Sequence, residues 1–114
     1  MTENSLLDYL EHMRQAATEA LSFVAGLTYE SFMADTRTKK AVLMSLFVVG
    51  EAAAKMMLHH QNFVSAHPDL PWSKMRGLRN RLAHGYFDIN YELVWNTTQT
   101  DLPELLAKLA VIQP

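Results

Sequence analysis

The chain contains no cysteine, an absence that excludes a disulfide framework, a thiolate metal site and a cysteine nucleophile together. Glycine and proline are scarce, four of each, in a chain with 49% apolar and 19% charged residues. That is the composition of a folded protein rather than a fibrous or low-complexity one. A large excess of charge is missing as well. With a net charge of −2 the molecule as a whole does not attract nucleic acid, so any contact with phosphate must come from a local basic patch. No run reaches the roughly 18 consecutive apolar residues of a membrane span. The start, Met1-Thr2-Glu3-Asn4, has no basic stretch ahead of an apolar one, as a leader would. The expectation is a soluble, cytoplasmic protein with no membrane partner, built as one domain over residues 1–114.

What is present is helical periodicity. Leu6, Leu7, Leu10, Met13, Ala17, Leu21 and Val24 recur at spacings of three and four behind Asn4 or Ser5 as N-cap, so a first helix is expected to run to a stop at about Gly26. A short helical piece or turn through Tyr29 and Phe32 leads to Asp35-Thr36, where a second helix begins. From Ala41 to Leu58 only Ser45, Glu51 and Lys55 are polar, the pattern of a central core helix rather than of a membrane span. Pro68 and Pro71 punctuate the next connection, and Pro71 suits the first turn of a third helix that Gly85 ends. Asn90 is the expected cap of a fourth helix, which Pro103 should kink or break; Asp101 followed by Glu104 resembles a new cap. The fold class is all-α, an antiparallel bundle of four main helices plus short extra helices.

The third helix carries the chemistry. Lys74, Arg76, Arg79 and Arg81 bring four cations within eight residues with no acid between them. On a helical wheel Met75, Leu78 and Leu82 face the core, while Arg76, Arg79, Asn80 and His84 share a polar arc. Guanidinium forks bind phosphate and stabilise its transition-state charge, and an imidazole moves protons near neutral pH. These are parts for cutting RNA without a metal: Arg79 and His84 as catalytic residues, with Arg76, Asn80 and Arg81 as supporting or substrate-binding groups. In-line attack by a 2′-hydroxyl needs one group to take a proton and another to give one, and His84 is a single histidine. A two-fold homodimer with the third helices facing each other supplies the second copy. The two His84 side chains then divide the roles, or one is assisted by Tyr86 or a water; the sequence leaves these routes open.

The segment Arg79-Asn80-Arg81-Leu82-Ala83-His84-Gly85-Tyr86 resembles the Arg-x4-His-x-Tyr signature of the HepT-like toxins of the HEPN superfamily. Similarity extends through Gly26-Leu27-Thr28-Tyr29-Glu30-Ser31-Phe32, Val48-Val49-Gly50-Glu51-Ala52-Ala53, Pro71-Trp72 and Val94-Trp95. The resemblance implies a helical homodimer with a metal-independent ribonuclease site at the dimer cleft. It also implies a cognate nucleotidyltransferase antitoxin that transfers AMP to the motif tyrosine, here Tyr86. Bulky anionic groups beside Arg79 and His84 would block the cleft and compete for its cations. The alternative is a non-catalytic RNA- or nucleotide-binding module that serves as structural partner of a nucleotidyltransferase.

Glu51 lies in an otherwise apolar helix, where an unpaired carboxylate is costly. Arg79 is its expected buried partner and Lys55 its i,i+4 alternative, which makes Glu51 a supporting residue of the site. His59, His60 and His67 invite a metal reading, but adjacent histidines diverge by about 100° on a helix and no carboxylate stands at ligand spacing. No metal and no cofactor is expected. Met44, Met56, Met57, Trp72 and Trp95 are read as core or dimer-interface packing.

Overall fold

A computed structural model of the chain describes residues 5–112, the side chain of Tyr86 excepted. Seven α-helices follow in order among them: α1 (Leu6–Val24), α2 (Tyr29–Met33), α3 (Thr36–His59), α4 (Gln61–Ala66), α5 (Trp72–His84), α6 (Tyr91–Asn96) and α7 (Leu102–Ala110). A 3₁₀ turn (Tyr86–Asp88) follows α5, a π turn (Thr97–Asp101) joins α6 to α7, and no strand occurs among the described residues. The four main helices expected from periodicity are α1, α3, α5 and the α6–α7 unit. α3 is the centre: α1 packs along one side of it and α5 along another, and α7 lies against α1.

Local chemistry accounts for the boundaries. Ser5 caps α1 in a reciprocal box with Asp8, while Asn4 lies outside the described residues. Gly26 follows the end of α1 at φ +79, the left-handed conformation that glycine adopts without a Cβ penalty. Thr28 and Ser31 form a second reciprocal box around α2. α3 has the length and composition of a membrane span, at a mean hydropathy of 1.7. Here it is the core helix, burying Val42, Leu46, Val49, Ala52, Ala53 and Met56 while Met44 and Leu58 stay exposed. Of the residues read as packing, Met56 and Trp72 are buried, whereas Met44 is 64% exposed. Trp95 packs edge-on to Tyr29 and, tilted, against Phe32 with ring centres 5.2 Å apart, pinning α2 to α6.

Two expectations need correction. The kink or break expected at Pro103 takes the form of a π bulge between α6 and a separate α7: the Leu102 N–H donates to Thr97 O, five residues back, and the backbone stays helical from Asn96 through Leu102. A proline ring clashes with the carbonyl four residues earlier in an α-helix and brings no N–H. The wider π turn makes the room, so the chain need not break. Asp101 consequently has helical dihedrals and makes no capping bond; its carboxylate pairs with Lys74 at 2.7 Å. The segment after His60, read as a connection, holds α4, which has no side-chain cap and buries no residue. It is fastened from outside: Trp72 Nε1 donates to His67 O, and the His67 ring stacks on Phe63.

α5 approaches α3 closely at Gly50. A Cβ there would stand 2.5 Å from Arg79 Cβ and 2.6 Å from Met75 O, distances that force α5 away from α3. Gly50→Ala is expected to cost about 1–3 kcal/mol of stability in urea unfolding, as overpacking does. An unchanged midpoint would mean that α5 sits farther from α3 than described. A second expectation concerns acid. The Asp35 carboxylate caps α3, accepting from the Thr38 hydroxyl at 2.7 Å and the Thr38 N–H at 3.0 Å. These two bonds, with the Arg37 charge, hold its carboxyl below the ordinary 3.8. A folded-state value below the unfolded one means that the stabilisation is complete above about pH 4–5 and is lost as pH falls through the folded value. The melting-temperature gap between the natural chain and Asp35→Ala should therefore be constant at neutral pH and close in acid.

Candidate functional site

α5 is assembled with little help from its own side chains. Pro71 precedes it without a side-chain cap, leaving the Met75 N–H to bond Pro71 O at 3.0 Å. At the other end the Gly85 N–H closes on Arg81 O at 2.8 Å, and the Asp88 N–H closes on Gly85 O to form the 3₁₀ turn. Arg81 and His84 occupy the last turn, where positive charge complements the exposed carbonyls of the helix end. Asn90 then caps α6 through Leu93 N.

Arg79 departs from the polar arc of the wheel. Its backbone is pressed against α3 at Gly50, and its side chain is only 26% exposed, with Nε 3.2 Å from Glu51 Oε1. The expected Glu51–Arg79 pair is thus present, though Glu51 is 43% exposed rather than buried. Nε is shielded from solvent yet not aimed along a hydrogen bond, so the contact is ionic. The Nη groups donate no hydrogen bond among the described residues. Lys55, the alternative partner for Glu51, is exposed and makes no ion pair with it.

The uninterrupted basic patch read from the sequence is thinner in space. Lys74 is neutralised by Asp101 and Arg79 by Glu51, acids supplied by α3 and the π turn. Arg76 and Arg81 form no ion pair among the described residues. His84 is exposed and lines an open cleft of about 610 Å³ together with Asn80, Arg81, Asp88 and Asn90. Arg79 and Glu51 do not line that cleft. Residues five apart on a helix diverge by about 140°, so one chain by itself does not bring Arg79 and His84 to one surface. The side chain of Tyr86 lies outside the described residues; its backbone opens the 3₁₀ turn two residues past His84.

Sequence reasoning missed Asp88, a carboxylate in the same cleft as His84, because it sits beyond the helix in a turn that periodicity does not register. It also missed the packing role of Gly50, since nothing local marks a helical glycine as a contact. The histidines raised as metal ligands are spread apart in role. His67 Nδ1 donates to Phe63 O at 2.9 Å, His60 meets the edge of Tyr9, and His59 is exposed.

A family model described as "Ribonuclease HepT-like" matches residues 13–112. Among curated proteins the chain is similar to "Putative RNase MJ0127" of Methanocaldococcus jannaschii, with 35% identity over 94% of this chain and 83% of that protein. It is 33% identical to "Probable ribonuclease HepT" of Thermococcus cleftensis over 89% of each. It is 34% identical to "Putative RNase TTE0752" of Caldanaerobacter subterraneus over 85% of this chain and 84% of that one. No solved structure matches.

The half-exposed Glu51–Arg79 pair should contribute little to stability in its own right. A double-mutant cycle of Glu51→Gln and Arg79→Gln is expected to give a coupling of about 0.2–1 kcal/mol, shrinking as salt is raised. A coupling of several kcal/mol would show the pair to be desolvated.

Proposed function

The chain belongs to the HepT-like ribonuclease family, and from that premise we propose that it is the toxin of a toxin–antitoxin pair, a homodimeric, metal-independent endoribonuclease acting in the cytoplasm. The observation that carries the dimeric site is the separation of Arg79 from His84. Arg79 is seated at the α3–α5 seam by Gly50 and Glu51, whereas His84 opens onto a cleft that Arg79 does not reach. Two α5 helices facing each other across a two-fold axis restore the composite site, Arg79 from one chain working with His84 from the other.

In this site one His84 takes the proton of a ribose 2′-hydroxyl as its oxygen attacks phosphorus in line. The phosphorus–5′-oxygen bond breaks, and the His84 of the second copy protonates the departing oxygen, leaving a 2′,3′-cyclic phosphate and a 5′-hydroxyl. Arg79 stabilises the charge that develops on the non-bridging oxygens, with Glu51 fixing its orientation. Asn80, Arg76 and Arg81 line the path of the strand. A module that only holds RNA electrostatically would have one cation fewer than the sequence suggests, because Lys74 is paired with Asp101 and salt-dependent affinity scales with the cations free to replace counterions.

Control falls to Tyr86. A cognate nucleotidyltransferase antitoxin joins the tyrosine oxygen to the α-phosphorus of ATP, releasing pyrophosphate, and the AMP so attached occupies the cleft beside His84.

The deciding experiment uses unmodified, antitoxin-free protein with RNA in excess EDTA. Cleavage is expected, with a loss of about 10²–10⁴-fold in His84→Ala and about 10²–10³-fold in Arg79→Ala, both variants keeping the helical circular dichroism of the natural chain. Undiminished cleavage by His84→Ala would remove that residue from the mechanism.

A further inference from the structure

A second cavity of about 350 Å³ lies between α5, α3, the π turn and α7, with Val49 and Met75 beside the Gly50 seam among its lining. Its walls are mainly aliphatic, supplied by Leu46, Val49, Leu93, Leu102 and Leu105. Its polar lining residues are Ser73, Lys74, Arg81, Thr97 and Asp101; Lys74 and Asp101 are paired with each other, and Arg81 also lines the His84 cleft. Arg81, Leu78 and Leu93 line both spaces, so the two are neighbours separated by these side chains.

Two features indicate that the cavity is kept open. Gly77 lies inside α5 and lines it, and a Cβ at that position would meet nothing within 4 Å. Neither packing nor a left-handed dihedral demands glycine there, yet glycine in a helix interior is less favourable than alanine. Its effect on the structure is to leave the space unfilled. The lining also includes Thr97 and Asp101 of the π turn that accommodates Pro103, a helix form frequently found at functional sites.

Resting on the ribonuclease reading above, we propose that this cavity is a base subsite that takes one unstacked purine of single-stranded RNA, next to the phosphate that is cut. An apolar cavity of about 150 Å³ holds one benzene ring, so the space here admits a fused bicycle with part of its sugar. Aliphatic walls enclose the faces of the base, and the Arg81 guanidinium at the boundary stacks on it or meets the adjoining phosphate. Asp101 gives one carboxylate oxygen, Oδ2, to Lys74, leaving Oδ1 to accept from a ring or amino N–H on the base edge. The subsite therefore selects the nucleotide beside the cut, a task separate from that of Arg79 and His84.

The test titrates the natural chain with each nucleoside 5′-monophosphate and, as controls, ribose 5-phosphate and inorganic phosphate, following the methyl resonances of Leu46, Val49, Leu102 and Leu105. Saturable shifts are expected with the purine nucleotides and none with either control. Gly77→Leu, which fills the space with a better helix former, is expected to weaken the response by about tenfold or more without lowering the melting temperature. No methyl response to any nucleotide, an equal response to ribose 5-phosphate, or an unchanged affinity in folded Gly77→Leu would each overturn the subsite. The methyl map of the natural chain decides the matter even if that variant fails to fold. RNA cleavage without nucleotide binding here removes the subsite and leaves the ribonuclease standing; purine binding by a chain that cuts no RNA does the reverse.

Discussion

The contact on which this architecture turns is the approach of α5 to α3 at Gly50. Only a hydrogen at that position allows the Met75 carbonyl and the Arg79 Cβ to come as close as they do. The next residue of α3, Glu51, then receives the Arg79 guanidinium. Adjacent residues on a helix diverge by about 100°, so the glycine lies under the α5 backbone while the carboxylate reaches around its side. The arginine is thereby positioned by main-chain packing and only trimmed by charge. This explains how a weak, half-exposed ion pair can hold a definite geometry: the pair does not have to supply the closeness, because steric fit already has.

Much of this was written into the chain in local terms. Ser5, Asp35 and Asn90 announce their helices because a short oxygen-bearing side chain satisfies amides that the helix itself cannot, and Gly26 ends one because its backbone turns left-handed. What eluded local reading depends on partners distant in sequence. The cluster Lys74, Arg76, Arg79 and Arg81 looks unbroken along the chain, yet its neutralising acids come from residues 51 and 101. The two helical glycines, Gly50 and Gly77, look alike in sequence and face opposite circumstances, one tightly filled and the other open. The proline at 103 is a reliable sign of disturbance, but whether a helix breaks there or swells into a π turn is decided by packing on both sides, with Thr98, Leu102 and Leu105 all buried.

The segments that carry the family likeness divide into scaffold and site. Tyr29, Phe32 and Trp95 form an aromatic clasp between α2 and α6, and Trp72 ties the start of α5 to the end of α4. Lys39 lies over the Tyr91 ring at 4.6 Å, and Arg14 and Lys108 each reach a backbone carbonyl far along the chain. These are devices for holding a small core in one arrangement. Of the residues proposed for RNA chemistry, Arg79 is seated at the Gly50 seam, whereas Arg76, Asn80, Arg81 and His84 are exposed and do little of that holding.

The uneven anchoring of α5 follows from this. Its buried side chains are Trp72 and Met75, both in its first half, and from Arg79 to His84 no residue is buried. The chemically equipped half thus depends on a few hydrogen bonds near water and on the seam at Gly50, the kind of segment whose local opening costs less than global unfolding. A second copy, a strand of RNA or an antitoxin laid over it would supply the missing cover. Because this half-helix is already formed yet lightly covered, whatever binds it in the folded form would raise its stability to a degree set by the ligand's concentration over its Kd.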